Sequence, residues 1–407
     1  MGLGSTTAPL RRELEQALPE RPFEVRFWDG SALPATDEDG AAPVFSARSP
    51  KAVAHALSRP GQLGLSRAYV SGELEVDDLD KVLDLLREWQ PPAIDAATQR
   101  RLLLGAIRAA GVMPPPRAPA VELRPRGRRH SIARDARAVR HHYDVSSDFF
   151  ELFLGPSMTY SCAVFEDPSS DGEALEDAQR RKLEMVCRKL ALVPGERVLD
   201  VGCGWGSFPV HAAAEHGVDV VGITLSEPQA RRARERAAAA GVSDRVEIRV
   251  ADYRALRGER FDAIASIGMV EHVGERNIVV YARRLSGLLE PGGRLLNHGI
   301  ARLRHGEAGA GGFSERYVFP DAAPLHLSRV QVALEAAGFE VEHVEGFREH
   351  YARTLTHWLT RLDDHAAEAQ RLAGPERLRV WRLYLRAARS GFQTGFTSIY
   401  QVRCRRP

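Results

Sequence analysis

Lysine is nearly missing from this chain: Lys51, Lys81, Lys182 and Lys189 are the only lysines among 56 basic residues. The skew reads as GC-rich coding bias, the mark of a bacterial source. Cysteine is scarce as well. Cys162, Cys187, Cys203 and Cys404 form no CxxC pair and have no histidines at zinc-finger spacing, so neither a disulfide framework nor a metal site is expected. A bilayer span needs roughly 18 apolar residues, and the best run, Leu102 to Met113, is interrupted by Arg108. A secretory apolar region is also lacking, and a cytoplasmic location is expected. Net charge is only +2, which gives no global field for nucleic acid. Met1-Gly2-Leu3-Gly4-Ser5-Thr6 matches a myristoylation pattern only formally.

What is present is a globular composition, 44% apolar and 27% charged, on a chain long enough for two or three domains. Phe23 to Phe27 alternates at strand period before the turn pair Asp29-Gly30. Ser49-Pro50 opens a helix through Leu57, and further helices follow around Asp78 to Trp89 and Ile94 to Ala110. Residues 1–112 therefore read as a small α+β accessory domain. A linker, 113–140, begins at Pro114-Pro115-Pro116. From Arg117 to Arg140 it carries eight arginines against Glu122 and Asp135. That is either a solvated linker or a surface for anionic lipid headgroups, worth about 1 kcal/mol per residue near the membrane.

From about residue 175 strands alternate with helices, the order of a doubly wound α/β domain. Strand-like runs are Arg197 to Val201, Asp219 to Thr224, Val246 to Val250, Phe261 to Ile267 and Arg294 to Ile300. Gln179 to Leu192, Ser226 to Ala240 and Val279 to Leu289 read as helices. Glu340 to Val344 and Ser398 to Arg403 can close the sheet as an antiparallel pair. Between them a helical stretch, about 350–390, looks like an added lid. The first strand runs into Asp200-Val201-Gly202-Cys203-Gly204-Trp205-Gly206, which lets backbone pass close under a ligand. The G-x-G-x-G spacing with an aspartate two residues earlier is more typical of S-adenosylmethionine than of a dinucleotide. The second strand ends without an acidic residue, but Thr224 and Gln229 can make the same hydrogen bonds to ribose. Asp252 and Tyr253 sit where an adenine pocket would be built.

Further motifs flank this core: His142-Tyr143-Asp144, Tyr160-Ser161-Cys162-Ala163, Gly268 to Gly274, His298 with Ile300, and His350-Tyr351-Ala352 with Thr354-Leu355. With these in order, the chain from about Arg140 to Val402 resembles the cyclopropane-fatty-acyl-phospholipid synthase family and its mycolic-acid methyltransferase relatives. Leu63-Gly64-Leu65 and Arg67 to Gly72 look like the accessory domain of the actinobacterial branch, which includes 10-methylene fatty acid methyltransferases.

The resemblance implies an α/β, Rossmann-like class I methyltransferase domain over 141–407, with a helical lid. It implies methyl transfer from S-adenosylmethionine to the cis double bond of an unsaturated phospholipid acyl chain at the membrane surface. The resulting carbocation is then deprotonated by bound bicarbonate. Cys162, Glu271, His298, Ile300 through its backbone, and Tyr351 map onto the anion's ligands. Tyr160 can add cation–π stabilisation. Ser161, Asp200, Gly202, Gly204, Gly206, Thr224, Gln229, Asp252 and Tyr253 fall to the cofactor. A cyclopropane product is expected, with a 10-methylene product and a separate flavin-dependent reductase as the alternative; Asp148 lies near the mapped anion site. A homodimer peripheral to the inner membrane face is expected. Two other classes compete: an ordinary methyltransferase for a small oxygen or nitrogen acceptor, and a non-catalytic lipid- or cofactor-binding protein. Simultaneous retention of Cys162, Glu271, His298 and Tyr351 argues against the first, and retention of the glycines and of Glu271 against the second.

Overall fold

The computed structural model describes every residue except 1–6, 37–41, 124–126, 128, 132–133, 136, 138–145, 171, 305–311 and 323. The motif His142-Tyr143-Asp144 and Arg124, Arg126, Arg128 and Arg140 of the basic run lie outside the described residues. The chain divides into two compact units, one of Met1–Leu123, Ala310–Val318 and Gly374–Ala387, the other of Arg124–Gly309, Phe319–Ala373 and Ala388–Pro407.

In the first unit, β1 (Glu24–Arg26), β2 (Ala32–Leu33), β3 (Val44–Ala47) and β4 (Leu74–Val76) form a sheet in the order β2-β1-β3-β4. Three of its helices, Pro50–Ser58, Leu79–Glu88 and Ala96–Ala110, start at side chains that satisfy otherwise orphaned first-turn amides. Ser49 accepts from Lys51 N at 3.1 Å, Asp78 from Asp80 N at 2.9 Å, and Asp95 from Thr98 N at 2.7 Å. Leu10, Phe27, Leu33, Ala106 and Ala109 make its core. Glu122 receives a bidentate Arg67 fork at 2.6 Å on both oxygens and a third bond from the Tyr317 hydroxyl at 3.0 Å. That buried carboxylate joins the distant segment Ala310–Val318 to its unit.

The second unit is built on seven strands: β5 (Arg197–Val201), β6 (Asp219–Thr224), β7 (Val246–Val250), β8 (Phe261–Ile267), β9 (Leu289–Arg302), β10 (Glu340–Gly346) and β11 (Thr397–Arg405). Their order is β10-β11-β9-β8-β5-β6-β7. Neighbours from β9 to β7 pair in parallel, and β11 runs antiparallel to both β9 and β10. Helices cover both faces, so the central strands read as continuous apolar runs. Leu199, Val201 and Ile223 belong to one buried layer, Val198, Val220 and Ala263 to the other. The chain reverses direction in strand order beside β5, and ligands in such sheets gather beyond the strand ends at that point.

Strand β9 begins five residues before the expected Arg294, because Leu289 already pairs with Phe261 of β8 and the sequence Glu290-Pro291-Gly292-Gly293, with Gly292 at φ 78°, bulges before pairing resumes at Arg294. The helical stretch near the C-terminus is three helices, Arg348–Asp364, Ala366–Ala373 and Pro375–Gln393, interrupted at His365 and at Gly374, whose φ is 81°.

Candidate active site

The glycine turn follows β5 directly. Gly202 and Cys203 both donate their amides to Ile223 O, at 3.0 and 2.9 Å, which holds the turn against β6. Gly206 sits at φ 83°, and a Cβ there would lie 2.9 Å from that of Ala233. Both conformation and contact demand glycine. The helix Ser207–His216 starts at once, with its free amides at the strand ends.

Above the turn lies a cleft of two lobes that share Gly202, Gly204, Gln229 and Gly268 as a common wall. Tyr160, Ser161, Lys182 and Asp200 line the first lobe. Asp200 is 2% exposed, and its Oδ1 has no hydrogen-bond partner among the described residues. Burial pushes its carboxyl up to about 7, against the pull of the Lys182 charge. Lys182 is buried too; its Nζ donates to Ser161 Oγ at 3.0 Å, and desolvation brings it down to about 8. Its neighbour one turn back, Gln179, donates to Ser161 O at 2.9 Å. An orphan carboxylate and a buried ammonium side by side complement the zwitterionic amino-acid end of S-adenosylmethionine.

The second lobe is lined by Thr224, Asp252, Tyr253, Met269 and His272. Thr224 Oγ1 donates to Gln229 Oε1 at 2.7 Å, so these two act as a pair. The Asp252 carboxylate is fully engaged by Arg254, at 2.9 Å from Nε and 2.6 Å from Nη2, and the same guanidinium reaches Asp135 at 2.8 Å. Asp252 therefore lines the lobe but its charge is already balanced.

A second group of polar side chains stands beyond the first lobe. Glu271 lies in a short 3₁₀ turn, Val270–His272, after β8, while His298 and Ile300 share one face of β9. Glu271 Oε1 accepts the Ile300 amide at 2.6 Å; its Oε2 is buried without a partner among the described residues. The Ile300 N–H and the Glu271 carboxylate are thus brought together. Gly299 allows the approach, since a Cβ there would lie 2.2 Å from Val270 Cγ1. Burial pushes Glu271 up to about 7.

His298 is fully buried and held well below its ordinary pKa by desolvation, so it is neutral. Gln401 faces its Nδ1 at 3.4 Å, which leaves the ring proton on Nε2 when the amide donates. That Nε2 has no partner among the described residues.

Phe347 gathers the rest. Its carbonyl accepts from Tyr351 N at 3.0 Å and lies 3.8 Å from Cys162 Sγ, and its ring is 5.9 Å from that of His298. Burial raises the Cys162 thiol far above its ordinary value, so it is a protonated donor. Tyr160, 5.3 Å from Trp358, and Tyr351, 6.0 Å from it, form an aromatic wall with Phe150 and Phe153. Asp148 occupies the first turn of the neighbouring helix Ser147–Leu154.

Lys182 went unnoticed as a functional residue in the sequence. Its rarity was the available signal: in a chain that uses arginine nearly everywhere, this lysine occupies a fully buried position. Its charge acts on Cys162, Asp200 and His298, so it stands between both groups.

The sheet order, glycine turn and bilobed cleft define a class I S-adenosylmethionine-dependent methyltransferase. The family model for mycolic acid cyclopropane synthetase matches residues 130–402, and the chain belongs to that family. A probable fatty acid methyltransferase of Mycobacterium tuberculosis is 39% identical over 405 residues, 96% of this chain and 92% of the relative. The tuberculostearic acid methyltransferase of the same organism is 32% identical over 411 residues, covering 98% and 91%. A solved mycolic acid cyclopropane synthase, complexed with S-adenosylhomocysteine and CTAB, matches with a TM-score of 0.62 at 33% identity, over 66% of this chain and 98% of that one.

Proposed function

We propose that this methyltransferase alkylates an isolated cis double bond in the acyl chain of an unsaturated phospholipid. The observation that carries the reading is a pair of buried polar atoms, Glu271 Oε2 and His298 Nε2, without partners among the described residues, in a site otherwise walled by aromatic rings. Unsatisfied buried groups are costly and are retained where a ligand completes them. S-adenosylmethionine, when bound, supplies an electrophilic methyl group. Lys182, Asp200 and Ser161 would hold its amino-acid end, Thr224 and Gln229 its ribose, and Tyr253 with Met269 the adenine side. Tyr160 and Trp358 exclude water and face positive charge on the acyl chain with their π surfaces.

The second group would hold bicarbonate, which when bound would supply the base for the departing proton. His298 Nε2–H would donate to it, as would the Cys162 thiol on turning from Ala163 O, which it meets at 3.1 Å; Tyr351 would add its hydroxyl, and Glu271 would donate when protonated or accept when ionised. Ring closure to cyclopropane follows when the proton leaves the transferred carbon, as the solved relative's name suggests. The second reading, an exocyclic methylene, is favoured by the two fatty acid methyltransferases, which match over both units of the chain. Reduction of that methylene to a methyl branch would need a separate flavin-dependent reductase.

No helix among the described residues is long and apolar enough to cross a membrane. We place the enzyme, as a homodimer, peripherally at the inner membrane face. Part of the basic run is already spent there: Arg134 forks onto Asp321 at 2.5 and 2.7 Å. Incubation with labelled S-adenosylmethionine and oleoyl-phospholipid vesicles tests the reading. Label in lipid is expected, with turnover lost in bicarbonate-depleted buffer and restored on addition. Absence of lipid label removes the reading; turnover indifferent to bicarbonate removes the anion.

A further inference from the structure

On the far side of the helix that carries Lys182 is a cluster unrelated to methyl transfer. The helix Leu175–Lys189 presents Glu184 and Cys187 one turn apart, and the helix Ser207–His216 presents His211 and His216 against them. One ligand atom from each of Cys187, His211 and His216 lies within 4.8 Å of the other two. Glu184 Oε2 lies beside the two histidines, 2.9 Å from His216 Nε2 and 3.5 Å from His211 Nε2, within reach as a fourth ligand once its side chain turns towards Cys187. His211 Nε2 is buried and makes no hydrogen bond among the described residues. Arg188 meets only the other Glu184 oxygen, at 3.8 Å.

We propose that Cys187, His211, His216 and Glu184 form a binding site for a divalent transition metal of the zinc class. The donor set argues for that choice: one thiolate, two imidazoles and one carboxylate suit a borderline-soft tetrahedral ion and not calcium or magnesium. A tetrahedral ion holds its ligand atoms about 3 to 4 Å apart, which the cluster reaches with small side-chain adjustments. Entry is open, because Glu184 and His211 line a surface concavity with Glu166, Asp167, Glu173 and Asp177.

Without metal, Cys187 is a buried neutral thiol pushed up to about 12 by desolvation and by the Glu184 charge. Binding displaces its proton to solvent, so affinity rises with pH. The ion staples two helices that also serve the cofactor cleft: one carries Gln179 and Lys182, the other begins at the glycine turn. The sequence hid this site because the ligands have no metal-motif spacing; only the packing of two helices joins them.

The test uses the full chain, freed of adventitious metal by chelation and titrated with cobalt(II), then zinc(II). One ion per chain is expected, with a thiolate-to-cobalt charge-transfer band and a melting temperature that climbs with free metal concentration. Cys187→Ser should abolish the band and weaken zinc at least tenfold. His216→Gln, at a partly exposed helix end, should weaken zinc comparably while leaving far-ultraviolet dichroism and S-adenosylmethionine binding intact. A band that survives Cys187→Ser would assign the thiolate to another cysteine and overturn the proposal. So would equal zinc affinity in parent and His216→Gln, or a complete lack of stoichiometric binding by the parent.

Discussion

Glu271→Gln separates the carboxyl group's chemistry from its packing. In the parent, Oε1 accepts the Ile300 amide at 2.6 Å while Oε2 is buried and unpartnered. A glutamine keeps an acceptor for Ile300 and nearly the same volume, so the turn Val270–His272 should stay in place. What disappears is titration. Burial raises this carboxyl from 4.5 to about 7. Between those values the unfolded chain is ionised while the folded chain keeps its proton. The group's stability contribution is therefore complete below 4.5 and lost as pH rises through about 7, a change of about 3 kcal/mol. The variant has no such loss. Its unfolding free energy relative to the parent should climb by about 3 kcal/mol from about pH 4 to about pH 8, read from urea melts at a series of pH values. Labelled-methyl transfer to lipid should fall about a hundredfold to a thousandfold, the usual cost of removing one preorganised group. Calorimetric affinity for S-adenosylmethionine should change by less than about threefold, because Glu271 lies outside the cofactor lobes. A stability difference that stays flat with pH would refute the burial argument, and unchanged turnover would refute the catalytic one.

Lys182→Met should weaken S-adenosylmethionine about tenfold to a hundredfold, the value of one charge-assisted hydrogen bond. Because Lys182 loses its proton near pH 8, the parent's affinity should decline above that pH. The variant's should not; calorimetry across pH checks both. Gly206→Ala forces a Cβ against Ala233 at 2.9 Å in a left-handed conformation, and urea melts should show a loss of about 1 to 3 kcal/mol. Gly299→Ala drives a Cβ into Val270 and displaces Glu271, so kcat should fall while cofactor affinity persists.

Much of the second unit could be read directly from the sequence. The apolar runs of β5, β6 and β8 were legible to the residue because a parallel sheet covered on both faces leaves no polar alternation to blur its strand ends, and the edge strand β7, Val246 to Val250, was legible by its apolar–charged alternation. Glycine spacing likewise exposed the turn, since positive φ and close contact leave other residues no place. The longer β9 was hidden by Pro291 and two glycines, which locally signal a turn and here form an irregularity between the Leu289–Phe261 and Arg294–Ala263 pairs with β8. Residues 374–387 read as one piece with the preceding helices, and their contacts with the first unit could not be foreseen: Arg379 to Glu75 links positions 304 residues apart.

In the site, motif positions such as Cys162 and His298 were found one at a time. Their connection through the Phe347 carbonyl and ring has no local pattern, because it depends on the register of β9 against β11. The same holds for Lys182, whose burial no residue nearby in sequence announces. Arg254 was equally hidden. It pairs with Asp252, which lines the second lobe.

Carbon-13 NMR of phospholipid recovered after reaction with methyl-labelled S-adenosylmethionine tests acyl C-methylation most directly. Label bonded to the former alkene carbons is expected, as ring methylene or as exocyclic methylene. Label found instead on a headgroup nitrogen or oxygen would contradict it.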